Sequence, residues 1–464
     1  MKYFVAIAWV ILTCLLGYLP SQQDFYLIIG LFGLLFFLYL MTYRVFTTHR
    51  DLLFFVFVGL LCRFCLLFSF PNLSDDIYRF LWDGHIFSQG IIPYLYTPAE
   101  WMSQTESSSE ILKLLYPQLN SPDYYSIYPP ICQGIFWFAV KCFPESTYWS
   151  TVVIKFIFLI SETLTIYILL KLTKQLGISQ RRVLLYVLNP LIIIELVGNL
   201  HFEAIMILFL MLALWSFYRN RFRLFGGFMA FSIATKLLPL MFLPFFLKRL
   251  KLKNLMWAGG SGLFIFFLLV LPFSTANLLQ QFGSSLELYF QKFEFNASLY
   301  YVLRWLGYQW KGYNMIQTIG PFLSYLTVGI IVAIALLEKK HSLQNFFKVA
   351  LLSFTVYLAL ATTVHPWYLS IPILLSVFTY FRFPIFWSAL IFLTYVNYSY
   401  QPYHENLWFV SLEYVIVAII FFLEYRQFPV AKIIVDISRH MISVLLRLYR
   451  QLRGWESPEK KRGV

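Results

Sequence analysis

Apolar side chains run from residue 25 to 43 and again from 52 to 70, each stretch long enough to cross about 30 Å of hydrocarbon. Comparable stretches lie at 4–20, 150–170, 183–199, 203–218, 254–272, 316–337, 346–364, 366–380, 384–400 and 407–425. With 60% of its 464 residues hydrophobic and only 12% charged, the chain is built for lipid. Lipid offers the backbone no hydrogen-bond partner, and Leu-, Ile- and Phe-rich runs without polar alternation satisfy their own amides as helices rather than as a barrel. The expected fold is all-α, a polytopic transmembrane helical bundle of about 12 to 14 membrane segments. Residues 5–18 could pass for a signal-peptide core. No small-residue cleavage site follows and another apolar span begins almost at once, so this stretch reads as the first span. The five cysteines lie in or beside apolar segments and indicate neither a disulfide framework nor a zinc site; Cys62 and Cys65 form a CxxC by spacing only.

The net charge of +14 is gathered at 44–50, 171–182, 219–223, 248–253, 339–348 and from Arg426 onward. The excess of Lys and Arg places these clusters in the cytoplasm, which accounts for the basic balance without nucleic acid. Two stretches disturb the alternation of sides. The first, 127–143, is expected to dip in and return; the second, 224–247, to form a hairpin of short half-helices broken near Thr235, Lys236 and Pro239. Irregular backbone at membrane depth is tolerated only against protein or a wet cavity, so both are candidate cavity walls. Residues 1–425 are expected to form the transmembrane domain, with an outward loop at about 71–126. Residues 426–464 read as a basic amphipathic tail on an anionic inner leaflet.

With this topology six polar clusters share the non-cytoplasmic side: Asp75-Asp76, Tyr128-Pro129-Pro130, His201-Phe202-Glu203, Phe295 to Tyr301, His365-Pro366-Trp367-Tyr368 and Tyr403-His404-Glu405. In the first, Ser74 to Gly84, the side chains from Ile77 to Trp82 suit an interfacial helix with rings in the headgroup layer and charges in water. Asp76 and Asp75 stand three and four residues before Arg79, so one face can carry both signs. The ordinary reading is a capped helix start with Arg79 as ion-pair partner. The doubled acid at the head of a long loop favours chemistry. Tyr128-Pro129-Pro130 has a helix stop as its quiet rival, and His365 to Tyr368 an interfacial aromatic belt. Lys236 sits in an apolar stretch, where a charge is costly unless paired or hydrated. Lys155 and Glu162, seven apart, are expected to form a structural ion pair, and the Asn296-Ala297-Ser298 sequon reads as wall leading to Arg304. No Walker loop, dinucleotide fingerprint or Ser-His-Asp order is present.

Taken in order, S-D-D-I-Y-R-F-L-W-D-G-H, G-I-I-P-Y-L-Y-T-P, Y-P-P, H-F-E-A, A-T-K-L-L-P, F-N-A-S-L-Y-Y and H-P-W-Y-L resemble the polytopic GT-C glycosyltransferases. The set is most similar to the bacterial polyprenyl-phosphate-mannose-dependent mannosyltransferase branch. The resemblance runs from about residue 70 to 370. At 201–203 an H-N-D-type motif is replaced by His201-Phe202-Glu203, which keeps a carboxylate but lengthens it.

The resemblance implies an inverting transfer of a hexose, mannose by analogy, from a polyprenyl-phosphate-linked sugar to a hydroxyl on a glycan, glycolipid or protein acceptor. It implies a multi-pass protein of the cell membrane, in contact with membrane lipids, whose active site is on the non-cytoplasmic side. The attacking hydroxyl must lose a proton, and Asp75 or Asp76 suits the general base. The lipid phosphate gains negative charge as it leaves, and Arg79, Lys236, Arg304, His201 and His365 are the candidate cations. Tyr78, Trp82, Tyr94, Tyr128, Trp367 and Tyr368 offer flat surfaces for sugar, with Glu203 beside them. No cofactor is required; a divalent metal held by the two aspartates and Glu203 remains compatible. A lipid-linked sugar flippase or other secondary transporter is the alternative, but should show inverted repeats and midplane charges. The chain shows no convincing repeat, and its richest charge cluster is in a surface loop.

Overall fold

A computed structural model describes residues 1–104, 109–275, 283 and 293–426. Among these the protein is a helical bundle with no strands; only an isolated bridge joins Phe295 to Thr363. Seven helices are long and apolar enough to cross a membrane: Phe25–Val45, His49–Phe68, Thr147–Gln175, Leu252–Phe273, Ile316–Leu337, Leu343–Leu360 and Leu407–Tyr425. Their ends follow local chemistry. Thr48 and Asp51 close a reciprocal capping box at the start of the second, and Ser146, Ser342 and Asn406 cap three others.

The remaining apolar stretches are interrupted, and the interruptions meet. The helix Pro130–Cys142 has 13 residues, about 20 Å, too short to cross the hydrocarbon. Helix Phe222–Ile233 stops just before Thr235 and Lys236, and the chain resumes as the short turns Leu238–Phe242 and Pro244–Leu247. The Ile131 amide donates to the Ala234 carbonyl at 3.1 Å, and the Cys132 thiol to the Thr235 carbonyl at 3.2 Å. The two segments that disturbed the charge alternation thus satisfy part of each other's backbone, as irregular chain in lipid must. Between them the stretch 183–199 breaks at Asn189-Pro190, continues as a π-helix over Ile192–Gly198, and bends by 107° into Glu203–Tyr218. The stretches 366–380 and 384–400 are shorter helices than their apolar length suggested, each opening at a proline: Pro366–Leu369 with Ser370–Phe378, and Phe383–Leu390 with Ile391–Ser399.

Two expectations change. Helix Asp76–Ser88 does not float among headgroups: Ile77, Phe80, Leu81 and Trp82 are covered by protein, and so are Arg79 and Asp83. It lies against Pro130–Cys142, with Phe80 stacked on Phe136 at 4.6 Å and Gly84 so near the Phe136 carbonyl that a Cβ would sit 2.7 Å from its oxygen. A helix whose charges are neutralised internally can be buried on all sides, and Arg79 with Asp83 supplies that neutrality. Lys155 and Glu162 do not pair. Glu162 takes Arg63 at 3.1 Å and the Tyr186 hydroxyl at 2.7 Å, while the Lys155 ammonium donates to the Leu66 carbonyl and the Ser69 hydroxyl. Sharing a helix face brought them near each other, but the neighbouring helix offered better partners. The tail expected at 426–464 lies outside the described residues beyond Arg426.

Candidate functional site

The bend between Gly198 and Glu203 organises the site. The π-helical turn presents Glu195 inward, and Leu200 takes a left-handed backbone with φ of 64°, an uncommon conformation for a bulky residue that costs about 1–3 kcal/mol. That kink swings His201 back over the turn, so that its Nε2 lies 3.1 Å from the Glu195 carboxylate. Glu195 also accepts the Tyr395 hydroxyl at 3.0 Å and the Asn199 side-chain amide at 3.2 Å.

From His201 a column of flat rings runs outward. His201 stacks on Trp367 at 3.6 Å, Trp367 on His365 at 4.4 Å, and His365 on Phe295 at 4.7 Å. The Phe295 amide donates to the Thr362 carbonyl and the Val364 amide to the Phe295 carbonyl, which sets the register of the last pair. Asn296 follows in the left-handed region (φ 46°), which an asparagine accepts readily.

Lys236 reaches the same cluster from the broken hairpin. Its ammonium is 2.6 Å from Glu203, whose side chain is 1% exposed, and it lies over the Tyr368 ring at 5.8 Å while staying 24% exposed itself. A buried carboxylate thus offsets the cost of placing a lysine at a break in an apolar stretch. His201 and Lys236 both lie within electrostatic reach of His365.

The Asp75-Asp76 pair stands at the head of its helix, Asp75 reaching solvent yet partly covered and Asp76 half-buried. Neither carboxylate makes a hydrogen bond or ion pair among the described residues; the Asp76 amide donates to the Ser74 hydroxyl. Asp75 therefore does not spend its side chain on capping. Partial desolvation, reinforced by the charge of Asp76, holds its carboxyl above the usual range. Tyr398 lies within electrostatic reach of Asp75, Asp76 and Glu195, and its ring is 5.9 Å from Tyr395 and 6.3 Å from Phe295.

His201, Glu203, Lys236, His365, Trp367 and Tyr368 thus form one connected neighbourhood, and Asp75 and Asp76, with Tyr78 half-buried beside Asp75, lie within electrostatic reach of its flank at Tyr398. The other sequence candidates do different work. Arg79 is bound to Asp83 at 2.8 Å and to the Ser121 and Tyr124 carbonyls, so it fastens the loop to its own helix. Trp82 is buried beside Tyr116; the Tyr94 hydroxyl donates to the Tyr128 carbonyl at 2.5 Å, and Tyr128 packs on Phe80. These three rings pack around the helix that the aspartates head. Arg304 is paired with Glu294 and lies 4.2 Å from the Tyr301 ring, in a separate cluster with Tyr300 and Asn314. Glu203 faces Lys236 rather than the aspartates, and no three His, Cys, Asp or Glu side chains gather at metal-binding distance among the described residues.

Sequence reasoning did not assign Glu195, Tyr395 and Tyr398 to the site, and it placed Glu405 in one of the six shared clusters without a role. Glu405 accepts the Asn296 amide at 2.9 Å, and burial pushes its carboxyl up to about 7. An acid inside an apolar span marked Glu195 as unusual, but its partner Tyr395 is 200 residues away in sequence. The neighbourhood supplies an unpaired carboxylate, a held lysine, two imidazoles and stacked rings: the parts for removing a proton from a hydroxyl and steadying an anion nearby.

A search of curated proteins finds no match. Residues 11–250, just over half of the chain and including Asp75, Asp76, Glu195, His201, Glu203 and Lys236, match a family model described as alpha-(1->6)-mannopyranosyltransferase, N-terminal domain. A polytopic helical bundle whose clustered acids, imidazoles and lysine fall largely inside that matched half belongs to the MptA_B family of mannosyltransferases.

Proposed function

We propose that this protein moves a mannosyl group, with inversion, from a polyprenyl-phosphate-mannose donor to an acceptor hydroxyl at the non-cytoplasmic face of the membrane. The observation that carries this reading is an Asp75-Asp76 pair with no hydrogen-bond or ion-pair partner among the described residues, within electrostatic reach of the same Tyr398 that adjoins the Glu195–His201 pair through Tyr395. One of the aspartates removes the proton of the acceptor hydroxyl as it attacks the anomeric carbon, and the raised affinity of Asp75 for a proton favours it for that task. The glycosidic bond breaks and its electrons pass to the lipid phosphate. Lys236, steadied by Glu203, and His201, steadied by Glu195, meet the growing negative charge. Trp367 and Tyr368 offer faces for the sugar. Phosphate is already a good leaving group, so the reading needs no metal. The family description points to an α-1,6 linkage. Arg79 and Arg304 have no direct part, since their guanidiniums are engaged elsewhere.

Reconstitution of the purified chain with a panel of donors tests the assignment. Consumption of polyprenyl-phosphate-mannose but not of a nucleotide-linked mannose, with a product of opposite anomeric configuration to the donor, is the expected result. Use of the nucleotide sugar, retention of configuration, or lipid-sugar translocation without transfer would each overturn it.

A further inference from the structure

Helix Glu203–Tyr218 has 16 residues and so carries the chain about 24 Å from the candidate site, toward the opposite boundary of the bilayer. There the chain turns at Asn220, in the left-handed region at φ 57°, and runs back as Phe222–Ile233. Beside this turn is a cavity of about 350 Å³ lined by Asn220, Arg221, Phe222, Arg223, Leu224 and Trp257.

Its charge is unbalanced. Between Glu203 and Glu287 the sequence contains no acid, whereas Arg219, Arg221 and Arg223 fall within five residues, and Lys251 and Lys253 open the neighbouring helix. The Arg223 guanidinium lies over Trp257, its Cζ 3.7 Å from the ring centroid, a contact that holds it in place but accepts none of its N–H groups. Neither the Arg221 nor the Arg223 guanidinium has a hydrogen-bond acceptor among the described residues. Arginines inside the bundle, by contrast, are met: Arg63 by Glu162, Arg249 by Glu338, Arg382 by three carbonyls. The frame is stiff. Helices Phe222–Ile233 and Leu252–Val270 cross backbone to backbone, so that a Cβ on Gly226 would collide with the Ala258 carbonyl and one on Gly262 would press on Gly226.

Two neighbouring guanidiniums with unused donors, one of them held over an indole, match the oxygens of a phosphate. The surroundings separate a lipid from a free ion. Trp257, Phe264 and Leu268, spaced seven and four residues apart, share one face of the Leu252–Val270 helix, and all are exposed. That face is an apolar track leading away from the arginines. We propose that this cavity binds the phosphodiester headgroup of an anionic phospholipid, on the membrane face opposite the candidate active site, with an acyl chain along the Trp257–Leu268 track. A free phosphate would meet the same guanidiniums but draw nothing from the track. The inference does not depend on the transfer reaction.

The test is thermal unfolding of the full-length chain in detergent, titrated with dioctanoyl phosphatidylglycerol, dioctanoyl phosphatidylcholine or inorganic phosphate. Phosphatidylglycerol should raise the midpoint saturably, and the double variant Arg221→Gln/Arg223→Gln should weaken that response by about tenfold or more. The unliganded midpoint should not move, since both side chains are exposed, and Arg223→Lys should fall between because it keeps charge without the planar fork. An equal response to phosphatidylcholine, or one that the double variant leaves intact, would overturn the site. A variant-sensitive shift from inorganic phosphate as large as the lipid's would overturn the lipid assignment. If the double variant unfolds, Arg221→Gln alone, which removes one exposed guanidinium, carries the same comparison.

Discussion

Asp75 holds its proton more tightly in the folded chain than in an unfolded one, because its surroundings and Asp76 both oppose its charge. The ionised form therefore subtracts from stability. That cost is absent at a pH below the unfolded carboxyl's range, near 3.9, and fully present above the raised folded value. Asp75→Asn should accordingly raise the unfolding midpoint relative to the wild type at pH 7 and leave it unchanged at about pH 3. A base works in its ionised form, so transfer by the wild type should decline on acidification at a pH above the ordinary carboxylate range. Glu195 is a positioning residue in this scheme. Glu195→Gln keeps the volume but removes the charge facing His201, and should lower kcat about tenfold or more, ~1.4 kcal/mol in the barrier, with little change in KM. Single-turnover kinetics with the variant would measure the split. At this scale the sequence was partly readable. The aspartates announced themselves as two acids heading an outward loop. Arg79 looked equally available, yet its partner Asp83 sits one helical turn away on the same face and two loop carbonyls close over it.

Among the elements, long uniform helices were legible from apolar length alone, and the places where the chain leaves them were flagged by charge parity, proline and buried polar residues. The break near Lys236 is where the sequence put it. The burial of helix Asp76–Ser88 was not legible, because an amphipathic pattern with charges at Arg79 and Asp83 is the same whether those charges face water or each other. The Arg63–Glu162 pair escaped for a related reason: it joins residues 99 apart, and only the packed bundle brings them together. Both side chains are fully buried, so Glu162→Ala leaves an uncompensated guanidinium and should cost about 3–5 kcal/mol, measurable by denaturant unfolding in micelles. Gly226→Leu should be at least as disruptive, since the Ala258 backbone occupies the space its side chain would need.

For the molecule as a whole, the candidate site and the arginine cavity lie at the two ends of helix Glu203–Tyr218. On the function proposed above, the basic second end faces the cytoplasm and the first end the outside. In a background lacking the five native cysteines, Asn72→Cys beside the aspartates should react with an impermeant thiol reagent on intact cells. Asn220→Cys should react only after permeabilisation. The reverse pattern would place the aspartates inside and remove the proposed topology. The central claim, that the Asp75-Asp76 pair supplies the base for mannosyl transfer, meets its most direct test in the transfer rate of Asp75→Asn and Asp76→Asn in proteoliposomes supplied with polyprenyl-phosphate-mannose. At least one variant should lose about 10²–10⁴-fold in rate while remaining folded; full activity in both, and in the double variant, would contradict it.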